Sequence, residues 1–181
     1  MIAYIVLILA ALSRFVPHAL HGTGMNFTAV GAGLLFFGSR RPRWQAVSAV
    51  AILAVADFCL TRFVYGYPFQ MREYLVTWVW YAAVCLLAYG LLRKVTALRV
   101  VASVLASATS FFLLSNLVVW FGSGMYPHSA SGIAACYAAA LPFYANDLVS
   151  TGVLSAALFG LPVLAAKLTY AAHAHHNQPL A

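Results

Sequence analysis

The chain contains three carboxylates, Asp57, Glu73 and Asp147, so acid-base or ion-pair chemistry must pass through one of them. Asp57 interrupts an otherwise apolar run from about Trp44 to Val64. An acid inside such a run costs about 3 kcal/mol or more unless it is paired, protonated or hydrated, which makes it a functional candidate by default. Arg14 poses the complementary problem near the end of the first apolar segment, and its candidate partners are those same three acids. A functional Asp57 and a structural pair with Arg14 or Arg62 are compatible. His18 and His21 stand three apart in a Gly-rich stretch that also holds Asn26. On a helix that spacing would present both imidazoles on one face, as a metal site needs, whereas a loop guarantees no geometry. With either histidine, Asp57 would form a general acid-base dyad.

Cys59, Cys85 and Cys136 form no CxxC pair and show no zinc spacing. Cys59 reads as a small apolar residue within a helix. Cys136 is the one candidate for thiol chemistry on a ligand, and no other catalytic residue is assigned. The metal-ligand candidates are His18, His128 and Cys136; His173, His175 and His176 read as a solvated tail. No P-loop, HExxH, GxSxG or Rossmann glycine pattern occurs, so the chain cannot energise transport with its own ATPase.

The elements that must position these side chains are membrane helices. The chain is 64% hydrophobic and 7% charged, against about 25% charged for a soluble domain. Its long continuous apolar runs exclude a transmembrane barrel, which would show short alternating segments. With about 20 residues per crossing, 181 residues accommodate a six-helix bundle in one domain, 1–170, followed by a cytoplasmic tail, 171–181. The net charge of +7 does not indicate nucleic acid. Arg40, Arg41 and Arg43 fall in one polar break, Arg93, Lys94 and Arg99 in another, and Lys167 ends the last apolar run. With alternating helices these lie on one side, cytoplasmic by the positive-inside bias, with both termini inside. The first run lacks a basic leader and an A-x-A cleavage site and is expected to be retained.

The expected segments run from about Ile2 to Phe15, Phe27 to Phe37, Trp44 to Val64, Leu75 to Leu92, Val100 to Phe121 and Leu148 to Tyr170. Ala29, Gly31, Ala32 and Gly33 suit close helix packing, as do Ser103 and Ser107. Trp78, Tyr81, Cys85 and Tyr89 fall on one helical face, and Thr109, Phe112, Asn116 and Trp120 on another. Asn116 needs hydrogen-bond partners in apolar surroundings, from a helix or a ligand. The uncommitted polar and aromatic side chains gather at the opposite side from the basic breaks. Tyr65, Tyr67, Gln70 and Arg72 lie in the second outer loop, and the stretch Trp120 to Asp147 reads as a short helical lid joining helices five and six. Apolar walls with a few orienting polar groups describe a pocket for a medium-sized organic solute. Its candidate ligand-binding residues are Arg14, His18, His21, Asn26, Asp57, Tyr65, Tyr67, Gln70, Arg72, Trp78, Tyr81, Asn116, Trp120, Tyr126, His128 and Asp147.

The series Ser13-Arg14-Phe-Val-Pro17-His18, Asn26-Phe27-Thr28, Ser115-Asn116-Leu-Val-Val-Trp120, Met125-Tyr126-Pro127, Gly132-Ile-Ala-Ala-Cys136-Tyr137 and Ala140-Leu-Pro142-Phe143 resembles a family of small bacterial membrane proteins. That family is similar to the S components, the substrate-binding membrane subunits of energy-coupling-factor vitamin transporters. The resemblance covers about Ser13 to Gly160. It implies six helices with both termini inside a bacterial cytoplasmic membrane, and uptake of a vitamin-like solute captured from the outer face. Similarity to the solitary BtuM-type cobalamin transporters, which hold cobalt through a cysteine thiolate, implies a corrinoid as the transported ligand. Here the loop before the fourth segment has Gln70 and no cysteine, leaving His18, His21 or His128 as substitutes. The first helix lacks the Ala-x-x-x-Ala surface through which S components dock on a shared energising module, so coupled and solitary transport both stay open. The chain begins Met1-Ile2-Ala3 and not Met-His, unlike the metal-specific branch. The other readings are a membrane enzyme modifying a bound corrinoid through Cys136, and a structural subunit that binds no small ligand.

Overall fold

Among the described residues every regular element is helical. The computed structural model describes residues 1–16 and 27–176, with side chains to Tyr170. Helix α1 spans Ile2–Leu12 and continues through a 3-10 turn at Ser13–Phe15. It is followed by α2, Val30–Arg40, and by α3, Ala46–Cys59, which is preceded by a 3-10 turn at Arg43–Gln45 and ends in a π-helical turn, Leu60–Val64. Then come α4, Met71–Leu91; α5, Ala97–Gly122; and α6, Ala130–His176. His18, His21 and Asn26 lie outside the described residues.

Four stretches, Arg43–Val64, Met71–Leu91, Ala97–Gly122 and Ala130–Tyr170, are long and apolar enough to cross a membrane. The chain is thus a multi-pass membrane protein. Two of the expected crossing segments are shorter. Helix α1 with its extension covers Ile2–Phe15. Helix α2, with 11 residues, rises about 16 Å, roughly half of a ~30 Å hydrocarbon core.

Helix α2 is the axis of the bundle. Val30 through Gly38 are all buried, and α2 packs on α1, α4 and α6; a helix apolar on every face belongs in such an interior. Its glycines set the spacing. A Cβ on Gly31 would lie 2.5 Å from Thr151 Oγ1 of α6, and one on Gly38 would run into the backbone of Cys85 in α4. Ser13 ties α1 to α2: its Oγ donates to Ala10 O at 2.7 Å and accepts from Ala29 N at 2.9 Å.

The basic turns gather at one end. Arg41 lies over the Tyr4 ring at 5.1 Å, and the Tyr4 hydroxyl donates to Gln45 Oε1 at 3.2 Å. The Arg43–Gln45 turn also packs on α4. Arg99 Nη1 donates to Leu91 O at 3.3 Å, closing the α4–α5 turn.

The separate lid helix is not found. The connection after α5 covers only residues 123–129, and α6 then runs for 47 residues through Pro142 and Pro162 without a break. It also continues to His176, beyond the expected start of the tail at 171. Proline removes one backbone donor, but in apolar surroundings the other peptide groups have no alternative partner, so the helix persists.

Three serines of α5 and α6, Ser103, Ser107 and Ser155, bury hydroxyls with no hydrogen-bond partner among the described residues. Replacing any of them by Ala is expected to leave stability unchanged or raise it by up to about 1 kcal/mol, because an unsatisfied buried hydroxyl is removed. Thermal unfolding in detergent checks this; a clear fall in midpoint would show that the hydroxyl has a partner.

Candidate functional site

The half of the bundle away from the basic turns encloses a cavity of about 490 Å³. Its wall comes from the end of α1, the start of α2, the second halves of α3 and α5, and the first parts of α4 and α6. Asp57 is its most buried polar group. Its carboxylate accepts from Arg14 Nη1 through Oδ1 and from Trp78 Nε1 at 2.9 Å through Oδ2. Arg14 also donates to the Tyr81 hydroxyl at 3.3 Å.

The helix carrying Asp57 changes pitch immediately after it. Thr61 Oγ1 donates to Asp57 O at 2.8 Å, and Tyr65 N reaches back to Leu60 O at 2.8 Å, the wide spacing of a π turn. Since the Thr61 proton is used on Asp57 O, the Tyr74 hydroxyl, 2.5 Å from Thr61 Oγ1, is the donor in that contact. Phe69 stacks on Tyr74 with ring centroids 5.0 Å apart and covers Trp78 at 6.4 Å. These aromatics hold the Trp78 indole against Asp57 and shield the carboxylate.

Helices α5 and α6 supply a different wall, with Phe112, Asn116, Phe143, Tyr144 and Asp147. Phe143, Tyr144 and Asp147 follow the i, i+1, i+4 pattern of one helical face. The Phe112 and Tyr144 rings lie 4.8 Å apart, and the Tyr144 hydroxyl is 2.9 Å from Thr109 Oγ1. Asn116 Nδ2 donates to Phe112 O at 2.7 Å, leaving its Oδ1 without a donor among the described residues. Asp147 Oδ1 accepts a long bond of 3.4 Å from Thr151.

Six of the sequence candidates, Arg14, Asp57, Tyr65, Tyr81, Asn116 and Asp147, line this cavity together. Trp78 reaches it through Asp57. Tyr67, Gln70 and Arg72 are exposed and outside the lining. Trp120, Tyr126 and His128 are also outside it. Trp120 Nε1 donates to Pro127 O at 3.0 Å and His128 Nε2 lies 3.0 Å from Trp120 O, which fastens the 123–129 connection onto the end of α5. Cys136 is buried, with Sγ 3.5 Å from Asn116 O, and is not among the lining residues. Among the described residues no three His, Cys, Asp or Glu side chains converge as a metal site.

Sequence reasoning did not single out Thr28, Thr61, Tyr74, Thr77, Trp80 or Phe111, which also line the cavity. Tyr74, Thr77, Trp80 and Tyr81 stand on neighbouring turns of α4, and Trp80 is off the Trp78–Tyr81–Cys85 face that the sequence marked. Neither curated proteins nor solved structures yielded a match to this chain. The chain belongs to the family described as a family of unknown function, DUF6580, whose model matches residues 1–174.

Proposed function

We propose that this chain is an S-component-like membrane transporter subunit that captures a vitamin-sized organic solute in the α1–α6 cavity and releases it on the side of the basic turns. The observation that carries this reading is the cavity's composition and place. A volume of about 490 Å³ lies within the range of roughly 300–1,000 Å³ that encloses drug-sized ligands, aromatic rings face polar groups across it, and it lies in the half away from Arg41, Arg43 and Arg93. By the positive-inside bias that half faces outward in a bacterial cytoplasmic membrane. The volume favours a solute of one or two rings. A whole corrinoid, the ligand that the S-component resemblance brings forward, would require the outer helix ends to part. The Cys136 thiol, turned onto Asn116 O, gives no support to covalent ligand chemistry. Coupling to an energising module and solitary action both fit this reading.

The entry side is tested by labelling. In a chain lacking Cys59, Cys85 and Cys136, Ser115→Cys on the cavity wall is expected to react with a membrane-impermeant thiol reagent added to intact cells. Arg93→Cys is expected to react only after permeabilisation. The opposite pattern would overturn capture from outside.

A further inference from the structure

Among the described residues the charges lining the cavity do not cancel. Arg14 and Asp57 neutralise each other, and Asp147 is a second carboxylate in the same lining. Among the described residues no cationic side chain pairs with Asp147; its one hydrogen bond is the 3.4 Å contact from Thr151. A carboxylate held in this way inside a bundle is costly unless something positive or donating meets it.

Besides Tyr144, α5 and α6 bring Ser115 and Asn116 to the lining, nearer the end of α5. Asn116 uses one amide N–H on Phe112 O, leaving its Oδ1 and its second N–H. Ser115 donates to Phe111 O at 2.7 Å. Among the described residues of this wall Asp147 alone carries a charge. Phe143 and Tyr144 lie one turn before Asp147 on its own face, and Phe112 packs on Tyr144. Aromatic faces beside a carboxylate favour a desolvated cation.

Resting on the solute-binding reading above, we propose that the cavity takes an organic cation, an ammonium or a positively charged nitrogen ring, with its charge on Asp147 and its apolar part against Phe112, Phe143 and Tyr144. The Arg14–Asp57 pair, with Trp78 on its other oxygen, is the charge-neutral part of the wall. An anionic solute would instead meet Arg14 already neutralised by Asp57, and Asp147 unscreened.

Three probes that share a benzene ring and differ in charge separate the alternatives: benzyltrimethylammonium, benzamide and benzoate, each titrated into the detergent-purified chain while the unfolding midpoint and tryptophan fluorescence are followed. The cation is expected to bind on the order of tenfold more tightly than benzamide, and benzoate least. Asp147→Asn is expected to remove that preference, and Asp147→Glu to keep it. Without a probe, Asp147→Asn is expected to be at least as stable as the parent chain, because it replaces a carboxylate that has no cationic partner. If it does not fold, the ranking of the three probes on the parent chain decides. Tighter binding of benzamide or benzoate, or a cation preference that survives in Asp147→Asn, would overturn the cationic solute while leaving the cavity as a binding site. No binding of any of the three would overturn both.

Discussion

Asp57→Ala is expected to lower the stability of the bundle by about 3–5 kcal/mol, the cost of leaving a buried partner charge uncompensated. The Asp57 side chain is wholly buried and that of Arg14 is 22% exposed, so water offers Arg14 little substitute. The same substitution takes the acceptor from Trp78 Nε1, which adds the desolvation cost of an orphaned donor. Arg14→Leu alone is expected to cost a similar amount, because it leaves the Asp57 charge buried. The double variant Arg14→Leu/Asp57→Leu is expected to recover a large part of the loss, since replacing both members of a buried pair with apolar groups is often close to neutral. Equilibrium unfolding of the three variants in one detergent checks the cycle. Additive losses in the double variant would show that the two residues act independently.

Gly38→Ala is expected to be damaging for a different reason. The added methyl meets the carbonyl oxygen, Cα and carbonyl carbon of Cys85. Backbone cannot move aside as a side-chain tip does, so α2 and α4 must separate. Overpacking of a tight interior costs about 1–3 kcal/mol, and a backbone collision at the central helix is expected at or above the upper end. Gly90→Ala is the control on the same partner helix. Nothing lies within 4 Å of its added Cβ, and losing a helical glycine gains about 0.5–1 kcal/mol. Opposite shifts in unfolding midpoint are expected; a fall of equal size in both would show that glycine at 38 does not set the α2–α4 spacing.

What was legible in the sequence follows from where the membrane leaves no choice. With three acids in the chain and Arg14 in an apolar segment, pairing with Asp57 was one of very few affordable solutions, and that is the pair observed. Small residues in the second segment announced close approach, and Gly31 and Gly33 make it; Gly38, which meets the Cys85 backbone, was not singled out. The rotation of each helix was not legible. Helices such as α4 and α5 are apolar toward both lipid and core, so their pattern does not mark which side faces a cavity. Trp80 was missed for that reason, while Phe112 and Asn116 shared a recognisable face. The lid was misread because Pro142 and the polar Asn146–Asp147 pair look like a boundary in water, whereas α6 carries them within one helix. The cavity end of that stretch, Phe143 to Asp147, nevertheless faces the site; its other end, from Trp120 to His128, fastens a connection.

The central claim is that the cavity holds an organic solute, and native mass spectrometry of the chain released gently from its membrane tests it most directly. Ala140 lines the cavity and is buried, so Ala140→Trp fills the site without touching its charged groups. One discrete small-molecule adduct per chain is expected on the parent protein and not on Ala140→Trp. A parent chain that carries no such adduct, or one that Ala140→Trp retains undiminished, would contradict the claim.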